Sequence, residues 1–346
     1  MPANGRLQVV SSDVVKKKVL LIRLDKIGDL ICTLPADQIL DTNAYDITWI
    51  VQRGLGQLLD LAENKIKYFE IDKSNPQTSQ KIFSDFLKTE KFDIAISFQC
   101  PWWINFELFK NRVKKRIGVL SQWHSFLFLN QGLRQKRSQA IKHEFEYNLD
   151  LVKKITGPVQ INSKNLVLKF QKPISSAILE KFNLKNYIVI HPGMMGSALN
   201  WSQDQYILEI QNQIDQNKTV AITGTAADEP YLAKIKTVFE NHPQVCWLQS
   251  KLTMRELIEI LYFSEKIIAP STGVVHIAAS LGKNISAIYS PIKVHHPKRW
   301  GPRPASFSQQ IEIAMPNVLC PAQKSCLQDK CPHFNCMDTV KLAGSV

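Results

Sequence analysis

The sequence predicts an α/β protein of two Rossmann-like units that face each other across a cleft. Three observations predict it. Short apolar runs alternate with longer amphipathic stretches, the spacing of strands and covering helices in parallel sheets. That rhythm breaks once, around TGPVQINSKNLVLKFQKP (156–173), and then begins again. At 346 residues the chain is long enough for two cores of ordinary size.

In the first unit, VLLIRL (19–24) is a short, nearly all-apolar run closed by the polar loop DKIGD (25–29), which marks a buried strand. A helix through LICTLPADQIL follows, with Pro35 kinking it or lying in its first turns. DITWIV (46–51), KIKYFEI (65–71), FDIAISF (92–98) and KRIGV (115–119) are further strands, and 55–62, 79–89 and 102–110 are helices. In the second unit the strands are YIVIHPG (187–193), TVAITG (219–224), VCWL (245–248), KIIAPS (266–271) and ISAIYS (285–290). Helices start near Gln203, Pro230 and Thr253, the last with Thr253 and Glu256 as a capping box, and Gly282 ends the helix of HIAASLG. The expected division is 16–160, 174–320 and a cysteine-rich tail, 321–346, that packs back on the first unit.

Composition narrows the functions. Hydrophobic residues make up 45% and charged residues 21%, a folded rather than a disordered balance. No apolar run approaches the roughly 18 residues of a membrane span, and the opening MPANGRLQVVSSDVV has no charged start before a long apolar stretch, so the expected location is cytoplasmic. The net charge is +13, and nine cations lie between Lys110 and Lys142 with no acid among them, including Lys114, Lys115 and Arg116. Such a run suits an anionic partner, either a phosphorylated glycolipid or an anionic membrane surface, or else is a solvated face. WWINFELFKNRVKKR could serve a nucleic acid, but the βα rhythm has its aromatics pack on the sheet or touch lipid, so no nucleic-acid partner is expected.

Cys32, Cys100 and Cys246 are isolated and suit small core positions, whereas Cys320, Cys326, Cys331 and Cys336 crowd the tail. Their gaps are not the paired two-residue gaps of common zinc sites, so they are weak metal candidates, with His333 beside them. No cofactor is expected.

Four loops at strand ends carry groups suited to chemistry. DKIGD supplies Asp25, Lys26 and Asp29 around Gly28, with Asp29 either a base or a simple helix cap. In APSTGVVHIAASLG (269–282), Ser271, Thr272 and Gly273 form a hydroxyl-rich turn into a helix start able to hold phosphate, with His276 a turn later. HPGMMGSALNW (191–201) offers His191 and the turn glycines Gly193 and Gly196. TGTAADE (223–229) offers Thr223, Gly224 and Glu229, the last placed either for a ribose or at a helix start. Three loops from the second half and an acid from the first suit a nucleotide-diphosphate sugar donor opposite a hydroxyl acceptor.

These motifs, with RWGP (299–302) and the CPH and CM of the tail, resemble glycosyltransferase family 9, the ADP-heptose:lipopolysaccharide heptosyltransferases and their relatives. The resemblance covers nearly the whole chain and implies a GT-B fold and an inverting, metal-independent sugar transfer. It places the catalytic base on Asp29 and the donor turn on Ser271, Thr272 and Gly273, followed by His276. A phosphorylated, membrane-bound core acceptor would also account for the basic stretch. Two departures stand out: Ser271 replaces an aspartate before the TG pair, and Leu199 replaces a lysine before the tryptophan of the third motif. They motivate a second reading, a sugar-nucleotide or glycolipid binder without turnover.

Overall fold

The computed structural model describes residues 15–343 apart from 161, 163–165, 195 and 197. The opening stretch read as lacking an export signal, apart from Val15, lies outside the described residues. Among them, twelve strands form two six-stranded sheets. The first holds β1 (Lys17–Arg23), β2 (Tyr45–Gln52), β3 (Tyr68–Ile71), β4 (Ile94–Gln99), β5 (Lys115–Val119) and β6 (Gln131–Leu133) in the order β3-β2-β1-β4-β5-β6. The second holds β7 (Tyr187–Ile190), β8 (Thr219–Ile222), β9 (Val245–Trp247), β10 (Lys266–Pro270), β11 (Asn284–Ile288) and β12 (Ile311–Ala314) in the order β12-β11-β10-β7-β8-β9. Every pairing in both sheets is parallel. Each order is that of a doubly wound Rossmann sheet, which reverses between its first and fourth strands and opens a ligand crevice at their carboxyl ends.

Residue alternation explains why the middle of β1, residues 19–22, is apolar throughout. Val19 and Leu21 join a core that continues through Ile96, Val189, Ile267 and Val275, while Leu20, Ile22 and Leu24 join a second core with Phe83 and Trp103 on the other face. The first core spans both sheets, so the halves share buried apolar surface. A register shift in the β1–β4 pairing falls between Ile22 and Arg23, where the apolar run gives way to the polar loop.

The structure corrects several expectations. LICTLPADQIL is not one helix: Ile27–Ile31 is helical and Leu34–Ile39 is a 3-10 turn. Pro35 has no N–H to continue the ladder, and the Thr33 hydroxyl donates to the Asp29 carbonyl at 2.6 Å. The short β6 and β12 lack an apolar run long enough to mark them. The tail packs on the second half, not the first, because Met337, Val340 and Leu342 fill a core around Trp201 and Tyr206. Trp201 Nε1 and Gln205 Nε2 donate to the carbonyls of Val340 and Met337 at 3.1 and 2.9 Å.

The two motif-bearing helix starts touch. A Cβ on Gly273 would lie 2.8 Å from Ile27 Cβ, and one on Gly28 would lie 3.0 Å from His276 Cδ2. Both positions must therefore lack a side chain for the loops to meet. Gly273→Ala is expected to force them apart and lower stability by about 1–3 kcal/mol, read as a lower urea midpoint.

Candidate active site

The carboxyl ends of β1 and β10 face one another across a cavity of about 850 Å³. Its lining brings together Asp25, Lys26, Gly28 and Asp29 from the first half with His191, Gly193, Thr223, Gly224, Ser271, Thr272, Gly273 and His276 from the second.

On the first-half wall the decisive group is one the sequence reading passed over. Arg23, at the end of β1, is completely buried, and its guanidinium reaches Asp29 Oδ1 at 2.5 Å, Asp25 Oδ2 at 3.1 Å and Glu144 Oε1 at 3.5 Å. Glu144 is also fully buried and receives Arg137 at 2.5 Å and Arg299 at 2.9 and 2.8 Å. A buried cation needs such partners, so an arginine inside an otherwise apolar strand was itself the signal. Burial pushes the Glu144 carboxyl up, but Arg137, Arg23 and Arg299 outweigh it and hold it below the usual range. Burial has the larger effect at Asp29: despite Arg23, and with Asp25 and Glu144 pushing the same way, its carboxyl is held above the ordinary range. Asp29 is thus a desolvated carboxylate whose oxygen is steered by a fixed cation. Asp25 is further tied to Lys73 Nζ at 3.1 Å.

On the opposite wall the helix Gly273–Ser280 starts without a side-chain cap, although the helices after Ser202 and Thr253 carry full capping boxes. The Thr272 hydroxyl is buried and unpartnered within the protein. Free N–H groups and a spare hydroxyl at a helix start form an anion site. His276 Nδ1 lies 3.6 Å from Cys32 Sγ, and burial, helped by His143, pushes its imidazole down to about 3. His191 contacts Thr223 Oγ1 at 3.0 Å and is pushed down to about 4 by burial. Both rings are neutral at neutral pH.

Other expected residues lie elsewhere. Glu229 is exposed and accepts from Gln249 Nε2 at 2.6 Å, while its neighbour Asp228 lines the cavity. The reason is the turn itself: Asp228 Oδ2 accepts from Thr225 N–H and hydroxyl at 2.9 and 2.8 Å, which points the other oxygen, buried and unpartnered, at the cleft. Gly193 makes room for it, since a Cβ there would lie 2.2 Å from Asp228 Cγ. Gly196 takes a positive φ of 68, as a turn glycine does, but is not in the lining. Lys114, Lys115 and Arg116 sit at the amino end of β5, the edge away from the cavity. There they meet Asp93, the Lys154 carbonyl and the carbonyls of Phe128 and Val113. Leu199 packs against the second-half core. Among the described residues, the tail cysteines and their neighbours form no group of three or more ligands able to hold a metal.

RWGP acquires a physical role. Arg299 crosses from the second half to Glu144, His143 Nε2 lies 2.8 Å from the Gly301 carbonyl, and Arg303 stacks 3.7 Å over Phe145. The segment docks on the start of the helix Glu144–Thr156.

Two facing doubly wound sheets with an acid on one wall and an open helix start on the other define a GT-B-type α/β architecture. The chain belongs to glycosyltransferase family 9 (heptosyltransferase), whose family model matches residues 82–326, and it is thereby a glycosyltransferase. It is 27% identical over 300 residues, 83% of this chain and 86% of the relative, to a Haemophilus influenzae protein described as a glycosyltransferase. Its fold is similar to that of the Escherichia coli ADP-heptose lps heptosyltransferase II, with a TM-score of 0.70 at 17% identity over 85% of this chain and 89% of that one. E. coli heptosyltransferase WaaC with ADP gives a TM-score of 0.63 at 18% identity over 86% and 93% of the chains.

Glu144→Gln, which leaves three clustered guanidiniums short of one charge, is expected to lower stability by about 3–5 kcal/mol in chemical denaturation. His276 is held below the unfolded value of 6.5, so the unfolded chain binds the extra proton and stability falls as pH drops from about 6.5 toward 3. His276→Asn should therefore shrink the stability lost between about pH 7 and about pH 5 by about 2 kcal/mol, measured from urea midpoints.

Proposed function

We propose that this enzyme transfers a sugar, heptose from ADP-heptose, to a hydroxyl of a phosphorylated lipopolysaccharide core acceptor, with inversion and without a metal. The observation that carries this reading is that Asp29 and the uncapped start of Gly273–Ser280, brought together where their two helices touch, line one cavity. Donor chemistry is supported by the ADP-heptose and ADP named for the two E. coli relatives.

In this mechanism Asp29 takes the proton of the acceptor hydroxyl as its oxygen attacks the anomeric carbon from the face away from the diphosphate. The bond from that carbon to the diphosphate oxygen breaks, and the charge growing on the leaving nucleoside diphosphate is met by the N–H groups at Gly273 and by Thr272 Oγ1. Thr223, Gly224, Asp228 and the apolar slot of Leu252, Met254 and Leu257 receive the nucleoside. His191 and His276, both neutral, act as hydrogen-bonding walls rather than cations. Asp25 and Lys26 stand on the acceptor side. Lys114, Lys115 and Arg116 are too far round the sheet to touch the reacting sugar.

Asp29→Asn is expected to keep the fold and ADP binding and to lose about 10³-fold in kcat. Retention of most of the transfer rate would remove Asp29 from the mechanism. Because the Asp29 carboxyl is raised, the acid limb of kcat/KM should lie above the value near 3.9 of an ordinary aspartate, and Asp25→Asn should move it down.

A further inference from the structure

We propose that the face formed by the helices Trp102–Lys110 and Trp123–Phe128 docks on an anionic lipid bilayer. This assignment goes beyond the transfer reaction and does not depend on which residue is its base.

The face is apolar and in the open. Trp102, Phe109, Trp123, Phe126 and Leu127 are 49%, 48%, 65%, 52% and 62% exposed. They form one surface through the half-buried Phe106 and Phe128. Trp102 meets Phe106 at 6.2 Å, and Phe128 meets Phe106, Phe109 and Trp123 at 5.5, 5.8 and 6.5 Å between ring centroids. So many large apolar side chains in one exposed patch mark an interaction surface. Half-exposed tryptophans are the residues that settle at the level of lipid headgroups.

The exposed charges that this segment itself contributes have one sign. Lys110 lies 6.0 Å from the Phe106 ring, Arg116 is 5.5 Å from Phe109 and Arg134 is 5.5 Å from Phe126, with Arg112 exposed at the end of the first helix. The single acid between residues 100 and 143 is Glu107, which is 1% exposed and accepts hydrogen bonds from Gln80 and Asn111. Aromatic and leucine side chains flanked by cations, with no exposed acid on their own segment, complement a surface that is apolar inside and anionic outside.

The position of the face fits a lipid-held acceptor. Both helices start beyond the carboxyl ends of β4 and β5, the edge that carries Asp29 beyond β1. Between them and the cleft lies a polar cavity of about 300 Å³ lined by Asn105, His124, Arg137 and Arg299, and Arg299 lines the main cavity as well. Asn105 Oδ1 and Arg137 Nη2 there are buried and unpartnered within the protein. Arg299 thus borders both the hollow beneath this face and the main cavity.

Flotation with vesicles tests the assignment. The full-length protein is expected to float with phosphatidylcholine vesicles containing phosphatidylglycerol and not with phosphatidylcholine alone. Arg112→Asn with Arg134→Gln should weaken partitioning roughly 25-fold, about five-fold per cation. Trp123→Ser, Phe126→Ser and Leu127→Ser together should abolish it with an unchanged thermal midpoint. Asp29→Asn should float like the wild type, so loss of transfer and loss of docking read separately. Docking is overturned if the wild type ignores the anionic vesicles or if both surface variants still float. It is equally overturned if the wild type is a dimer by light scattering that the triple variant splits, since a second copy then covers the face.

Discussion

Everything at the catalytic edge of the first sheet leans on one buried cation. Arg23 sits at the carboxyl end of β1 with no exposed surface, and three carboxylates, Asp25, Asp29 and Glu144, converge on it. A guanidinium in such a place is tolerated only because its planar fork can satisfy several oxygens at once. The geometry then runs outward. Arg23 fixes Asp29, Glu144 fixes Arg23, and Arg137 and Arg299 fix Glu144. The net effect on Asp29 is a balance of opposites, in which burial and two neighbouring carboxylates outweigh the cation and leave its carboxyl more proton-hungry than that of an aspartate in water.

The opposite wall depends on an absence of side chains. Gly28 and Gly273 let two helix starts approach until backbone meets side chain, and Gly193 leaves the space that Asp228 occupies. The neutral imidazoles of His191 and His276 add shape and hydrogen bonding without adding charge, which leaves the uncapped helix start as the positive end of that wall.

Much of this was legible in the sequence. The alternation of apolar runs gave two parallel sheets, because strands buried on both faces have no polar positions to hide them. The loops at strand ends were found for the same reason, since they are the polar interruptions of apolar text. What failed to show were residues whose role is fixed by tertiary partners. Arg23 looked like a blemish in VLLIRL. Asp228 and Glu229 are adjacent acids, and only the turn closed by Thr225 decides which of them faces the cleft. Lys114 and Lys115 looked like part of one basic patch, but β5 carries them to the edge away from the cavity, onto Asp93 and the Lys154 carbonyl, and Arg137 from the same run is buried against Glu144.

Arg299 comes from the second half, yet its guanidinium ends on a first-half carboxylate one link away from Asp29. Any movement that parts the halves withdraws a positive charge from Glu144. The ion-pair network that steers Asp29 is therefore complete only while the two sheets stand together, which is also when donor and acceptor can meet.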